Sequence, residues 1–199
     1  MNIFIEKSND ELHKVKYLDS YMSNHKGFIA GGVFKNIFDG KAFKDIDIFF
    51  ENKKDFNQGL DHFTKSTEFV KIYENKNAVC FSKKDSGVKV DLVHGSYGSP
   101  EETINKFDFT VAKFAYFKKE TEGGVSYTCT FHKDFFEHLM TRKLVIDNNI
   151  PFPVGTFERA FRYKRYGFGM CRESKAKLIE SLQGQSTDNL SRDLYFGFD

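Results

Sequence analysis

Phe28-Ile29-Ala30-Gly31-Gly32-Val33-Phe34-Lys35-Asn36-Ile37-Phe38-Asp39-Gly40, followed after four residues by Asp45-Ile46-Asp47-Ile48-Phe49-Phe50, decides the reading of this chain. The first part reads as a short apolar strand broken by Gly31-Gly32, with a short helix from Val33 to Phe38 behind it. The second reads as a strand. Alternate residues of a strand share a face, so Asp45 and Asp47 project together while Ile46, Ile48 and Phe50 project into the core. Two neighbouring carboxylates repel unless a cation lies between them. Hard oxygen ligands favour magnesium or manganese, which keep positions for water and substrate phosphates. Glycine at a strand end lets the backbone come close to a phosphate, and the following helix start offers free N–H groups.

Each sign has a plainer reading. An isolated Asp-x-Asp is commonly a solvated acidic face, and Gly-Gly is common in turns. The ordering is more specific: strand, Gly-Gly, short helix, then Asp-Ile-Asp-Ile on a strand. A second strand, Val88 to Val93, puts Val88, Val90 and Leu92 on one face and Lys89 and Asp91 on the other. Beside the first strand it would bring Asp91 to Asp45 and Asp47 as a third carboxylate. Such a site suits in-line phosphoryl transfer, with Asp91 as the nearest base for the acceptor proton.

Working outward, Leu12, Val15, Leu18, Tyr21 and Met22 predict an amphipathic helix over residues 10–25. Residues 55–66 predict another. Glu68 to Tyr73 and Val79 to Ser82 predict strands, and Pro100-Glu101-Glu102 opens a helix capped by Ser99. The pattern from Phe107 to Phe117 is aromatic and small residues. Gly123-Gly124 leads into a strand from Val125 to Phe131, and helices are expected near 132–143, 156–167 and 172–183. The last fifteen residues are polar with a few aromatics and are expected to be loosely held. The fold class is therefore α+β: a small mixed sheet flanked by helices, with a catalytic part over 1–131 and a small helical part over 132–199.

Composition narrows the classes. The chain has 199 residues, 40% hydrophobic and 29% charged, with 24 Phe, no Trp and a net charge of +2. That is a globular balance without an overall signature for nucleic acid. Locally, Arg159, Arg162, Lys164, Arg165, Arg172, Lys175 and Lys177 face only Glu173, an excess that suits phosphates. The three cysteines form no CxxC or Cys/His cluster, so reduced thiols in a cytoplasmic protein are expected rather than a zinc site. No stretch approaches the roughly 20 apolar residues of a membrane span, and no membrane partner is expected.

With these residues in place, the chain resembles the polymerase-β-like nucleotidyltransferase superfamily. Within it, it is similar to the head of CCA-adding enzymes and poly(A) polymerases, and to small nucleotidyltransferase-like proteins of phages and viruses. Gly31-Gly32, Lys35-Asn36 and Asp45-Ile46-Asp47 match the family's Gly-Gly, Arg-Asp and Asp-x-Asp in order. Phe107-Asp108-Phe109-Thr110-Val111-Ala112-Lys113 is similar to its Arg-Arg-Asp-Phe-Thr segment, with Asp108 at the Asp. Arg159-Ala160-Phe161-Arg162-Tyr163 resembles the helix behind the family's nucleotide-selecting Glu, Asp and Arg, whose places fall near Phe152, Pro153 and Thr156.

The resemblance implies a nucleotidyltransferase-type sheet and transfer of a nucleoside monophosphate from a nucleoside triphosphate to an acceptor hydroxyl. An RNA or tRNA end is the first acceptor. It implies Mg2+ or Mn2+ on Asp45, Asp47 and Asp91, and nucleotide contacts from Gly31, Gly32, Lys35, Asn36, Asp108, Arg159 and Arg162. It also implies a phage-encoded protein acting in the host cytoplasm, and, from the length, not a complete CCA-adding enzyme. The substitutions at Lys35, Asn36, Lys106 and Thr156 favour a runner-up, a module that keeps the fold without turnover and binds a nucleotide or a partner protein; the three aspartates oppose it. His94, Arg142, Lys143, Ser96 and Ser99 are read as structural or exposed.

Overall fold

The computed structural model describes residues 3–122, 124–147 and 150–183. The helices and strands run β1 (Phe4–Ser8), β2 (Phe28–Ala30), α1 (Val33–Phe38), β3 (Asp45–Phe49), α2 (Lys53–Lys65), β4 (Phe69–Glu74), β5 (Ala78–Lys83) and β6 (Lys89–Val93). They continue with α3 (Pro100–Asn105), β7 (Phe114–Thr121), β8 (Gly124–His132), α4 (Phe135–Met140), β9 (Lys143–Leu144), α5 (Pro153–Arg165), β10 (Gly169–Met170) and α6 (Arg172–Leu182). Short 3-10 helices cover His13–Tyr21 and Thr110–Ala112. Residues 185–199, expected to be loosely held, lie outside the described residues.

Eight strands form one mixed sheet in the order β1-β8-β7-β2-β3-β6-β5-β4. Every neighbouring pair is antiparallel except β3 and β6, which run parallel with Asp45 opposite Lys89 and Asp47 opposite Asp91. A second, two-stranded pairing joins β9 and β10. The α+β class with a mixed, helix-flanked sheet is as expected. No helix among the described residues is long and apolar enough to cross a membrane.

Alternation gives the sheet two buried faces. Ile46, Ile48, Val90, Leu92, Phe114 and Tyr116 enter the main core, where Phe34, Phe63, Phe135, Tyr163 and Leu178 meet them from the helices. Residues from both the sheet and the last helices thus share one core. Phe28, Ala30, Phe49, Val93 and Ala115 point the other way, into a smaller core closed by Ile104 of α3. Asp45 and Asp47 alternate with Ile46 and Ile48, so they lie on the side of Phe49.

Local chemistry explains the element ends. Ser99 and Glu102 form a reciprocal capping box and Pro100 occupies the first turn of α3. Asn52 caps α2 by accepting from the Asp55 N–H at 3.0 Å. Pro153 opens α5. Several segments differ from expectation: β1, β9 and β10 were not expected, and the helix expected over 132–143 is shortened to α4. Residues 13–21 are 3-10 rather than α, and the reason is visible in the spacing. Leu12, Val15, Leu18 and Tyr21 recur every third residue, which a three-residue turn stacks on one side. Strand β7 was not expected: its first residues, Phe114, Ala115 and Tyr116, face two cores and show no polar alternation.

Candidate functional site

Gly31 has φ 101°, a left-handed conformation that favours glycine, and its N–H donates to Phe114 O at 3.0 Å. This turn lifts the chain off β2 into α1. Gly32 follows as the cap residue, and α1 then carries Lys35 and Asn36 over the end of β3. A cavity of about 110 Å³ opens there. Gly32, Lys35, Asn36, Asp45, Asp47 and Arg162 line it, with Tyr163 and Tyr166 of α5 as the far wall. Gly31 shapes the turn from behind.

Lys35 is buried, with its Nζ donating to Asn36 Oδ1 at 2.6 Å and lying 4.4 Å from the centre of the Tyr166 ring. Burial chiefly, with help from Lys41 and Arg142, pushes its pKa down to about 8 despite the opposing pull of Asp39. At neutral pH the cavity therefore keeps a cation, close to the point of losing it. Arg142 fixes the end of α1: it donates to Asp39 at 2.6 Å and stacks 5.2 Å from the Phe168 ring. Burial would raise the Asp39 carboxyl, but the hydrogen bond and charge of Arg142, with Lys41, hold it below the usual range. Arg142 thus has a structural role, with a tertiary partner.

Asp91 takes another direction. The parallel register sets it beside Asp47, where neighbouring strands lie about 4.8 Å apart. Its carboxylate nevertheless accepts from the Tyr73 hydroxyl at 3.4 Å and it does not line the cavity. On this side Cys80 is buried, and desolvation, then the neighbouring Asp91 carboxylate, push its thiol up to about 12. Among the described residues no three His, Cys, Asp or Glu side chains gather closely enough to hold a metal ion by themselves. The pair Asp45 and Asp47 fits magnesium on other grounds: that ion commonly takes one or two carboxylates and completes its shell with water and phosphate oxygens.

A second cavity of about 190 Å³ lies on the other side of Tyr163. Asp108 and Arg159 meet at its edge: Arg159 Nε donates to Asp108 Oδ2 at 2.6 Å, a terminal nitrogen contacts the same oxygen, and Thr156 Oγ1 accepts at 3.5 Å. Both ion-pair partners are buried. Of the residues read from the sequence, Gly32, Lys35, Asn36, Asp45, Asp47 and Arg162 therefore come together in one cavity. Asp108 and Arg159 form the next, Gly31 supports the turn, and Asp91 adjoins by backbone only. His94 Nε2 donates to Asn75 O at 3.0 Å, outside both cavities.

Sequence reasoning missed Tyr163 and Tyr166 as site walls. Their signal was available: they stand four residues beyond Arg159 and Arg162, on the same helical face. It also missed the cluster around Lys113. That lysine is fully buried, and its Nζ donates to Asp147 Oδ1 at 2.7 Å, while His132 Nε2 lies 3.1 Å from Asp147 Oδ2.

Comparison with known proteins agrees with this layout. The sequence model of the Gabija anti-defense 2 family matches residues 2–142. Gabija anti-defense 2 of Bacillus phage SPbetaL7 is 30% identical over 165 residues, which cover 82% of this chain and 39% of that relative. Among solved structures, a CCA-adding enzyme with ATP superposes with a TM-score of 0.68 at 15% identity, covering 97% of this chain and 51% of the other. The CTP complex gives 0.66 at 17% identity, covering 97% and 49%. The Thermotoga maritima CCA-adding enzyme complexed with tRNA gives 0.61 at 17% identity, covering 97% and 50%. At these identities the likeness establishes the fold, over about half of each solved chain.

Proposed function

The chain belongs to the Gabija anti-defense 2 family, and from that premise we propose that it binds a nucleoside triphosphate and transfers the nucleoside monophosphate to an acceptor hydroxyl. The observation that carries this reading is the single cavity shared by Gly32, Lys35, Asn36, Asp45, Asp47 and Arg162. It combines two carboxylates with cations and a glycine turn, a set suited to polyphosphate with a divalent cation and to little else.

Asp45 and Asp47 would hold Mg2+ or Mn2+, which when bound neutralises phosphate charge and polarises the α-phosphorus. Lys35 and Arg162 would bind the β- and γ-phosphates from α1 and α5, and Gly32 would let the backbone approach them. The acceptor oxygen forms a bond to the α-phosphorus as the bond to the β-phosphate bridging oxygen breaks, and pyrophosphate leaves. Asp91, one strand from Asp47, would take the hydroxyl proton after turning from Tyr73. An RNA or tRNA end is the proposed acceptor, and the relative's name suggests that the protein serves a phage against host Gabija defence.

A second reading is favoured by the Tyr73–Asp91 contact: with Asp91 turned away, the fold would serve as a nucleotide- or protein-binding module without turnover. One experiment separates them. The protein is incubated with labelled nucleoside triphosphates, magnesium and total RNA or lysate, and is also expressed in Gabija-bearing cells challenged with phage. Label transfer and restored plaquing that both vanish in Asp45→Asn/Asp47→Asn support the enzyme. Restored plaquing that survives these substitutions, with no label transferred, supports the module.

A further inference from the structure

The side of α5 turned away from the carboxylate cavity is apolar and open to solvent. Phe157, Phe161 and Ile179 are 43%, 51% and 57% exposed, and the Phe157 and Phe161 rings meet edge to face at 4.9 Å. With Met170, Leu178 and Leu182 they line a groove of about 400 Å³ between α5 and α6. Exposed apolar side chains gathered in one groove mark a surface that something covers. Lys164 and Lys175 stand at its rim, both exposed, and among the described residues no carboxylate lines it. Helix α6 ends at Leu182, itself part of the wall. Beyond Gln183 the sequence runs Gly184-Gln185-Ser186-Thr187-Asp188-Asn189, without an apolar side chain. It then turns apolar, as Leu190-Ser191-Arg192-Asp193-Leu194-Tyr195-Phe196-Gly197-Phe198-Asp199. We propose that residues 190–199 of the same chain fill this groove, as a strap that fastens α5 to α6.

Composition, charge and reach choose this occupant. Leu190, Leu194, Tyr195, Phe196 and Phe198 offer apolar area to match the groove floor. Asp188, Asp193 and Asp199 outnumber Arg192, so the segment is acidic where the groove rim is basic. A chain free to coil from Leu182 to Leu190 spans about 15 Å. Along α5 the groove runs from Phe157 to Lys164, about 10 Å. The tether is therefore long enough to lay the segment across the groove. It also holds it there at an effective concentration of about millimolar, so a modest contact suffices. A second copy's tail would compete only at comparable protein concentration. Arg162 and Tyr166 line the carboxylate cavity from the opposite side of α5, so the strap would brace that wall from behind. The inference does not depend on the chemistry assigned to that cavity.

The chain has no Trp, so Phe196→Trp in the full chain places a single fluorescent reporter in the strap, and Phe198→Trp a second. We expect blue-shifted emission from at least one of the two. Its quenching by acrylamide should be several-fold slower than in the same chain unfolded in urea, and unchanged by dilution. Adding Phe161→Asp or Ile179→Asp should make the indole as accessible as in urea. Both positions are exposed, and far-ultraviolet circular dichroism checks that the fold is kept. Lys164→Glu/Lys175→Glu alters rim charges alone and should also speed quenching, most at low salt. Two reporters as accessible as in urea overturn the strap. So does shielding that persists in both groove variants, which puts the segment elsewhere. Shielding lost on dilution gives the groove to a second copy's tail and overturns the strap within one chain. Unchanged quenching after charge reversal overturns the charge match by which this occupant was chosen.

Discussion

Arg159 donates from Nε to Asp108 at 2.6 Å, across 51 residues of chain, and both side chains are buried. The pair ties α5 to the loop ahead of β7. Removing one member leaves the other charged and desolvated, so Arg159→Ala should lower stability by about 3–5 kcal/mol. An exposed pair such as Lys7–Glu11 should contribute far less, because solvent screens it. Urea unfolding of Arg159→Ala beside Lys7→Ala measures the contrast, and equal losses would refute it.

Asp45 is exposed and Asp47 half-buried, side by side with like charge. Asp45→Asn, at the exposed position, should leave the melting temperature nearly unchanged. Nucleotidyl transfer should drop on the order of a hundredfold or more, as several kcal/mol of charge stabilisation go with the metal. Chelation of magnesium should mimic the substitution. A variant with undiminished transfer would remove these carboxylates from the chemistry.

The Lys35 pKa near 8 gives phosphate binding a pH dependence. The charged form holds the anion, so affinity for inorganic triphosphate is full well below pH 8 and falls as pH rises through it, by about tenfold at pH 9. Lys35→Arg stays charged throughout this range and should show a flat profile. The titration is followed by calorimetry at fixed ionic strength; a wild-type profile as flat as the variant's excludes the role.

Burial would raise the Asp147 carboxyl, but hydrogen bonds from His132 and Lys113, with the Lys113 charge, bring it down to about 2. A depressed carboxyl stabilises the fold above its unfolded pKa of about 4, and that contribution is lost as pH falls from there towards 2. The loss should be about 2 kcal/mol. In Asp147→Asn this part of the acid unfolding profile should disappear, measured by circular dichroism between pH 5 and 2.

Strand alternation made Asp45 and Asp47 legible, because the pleat decides the face of every second residue. It also put Asp91 on the right face and in register with Asp47. It could not give the side chain's partner, the Tyr73 hydroxyl on an edge strand two positions away in the sheet. Likewise Arg159 was legible as a basic residue near a nucleotide-facing helix, but its partner is set by packing over a long loop. The strand β7 escaped notice for the opposite reason: with both sides buried over Phe114 to Tyr116, its first half carries no polar alternation to read.

Helix α5 contributes to both cavities, from Phe152 at its cap to Tyr166 at its end, a span of about 20 Å. Because it is one rod, a displacement of its first turn also moves Arg162 and Tyr166. Whatever free energy a ligand in one cavity adds to affinity in the other must be returned in equal measure.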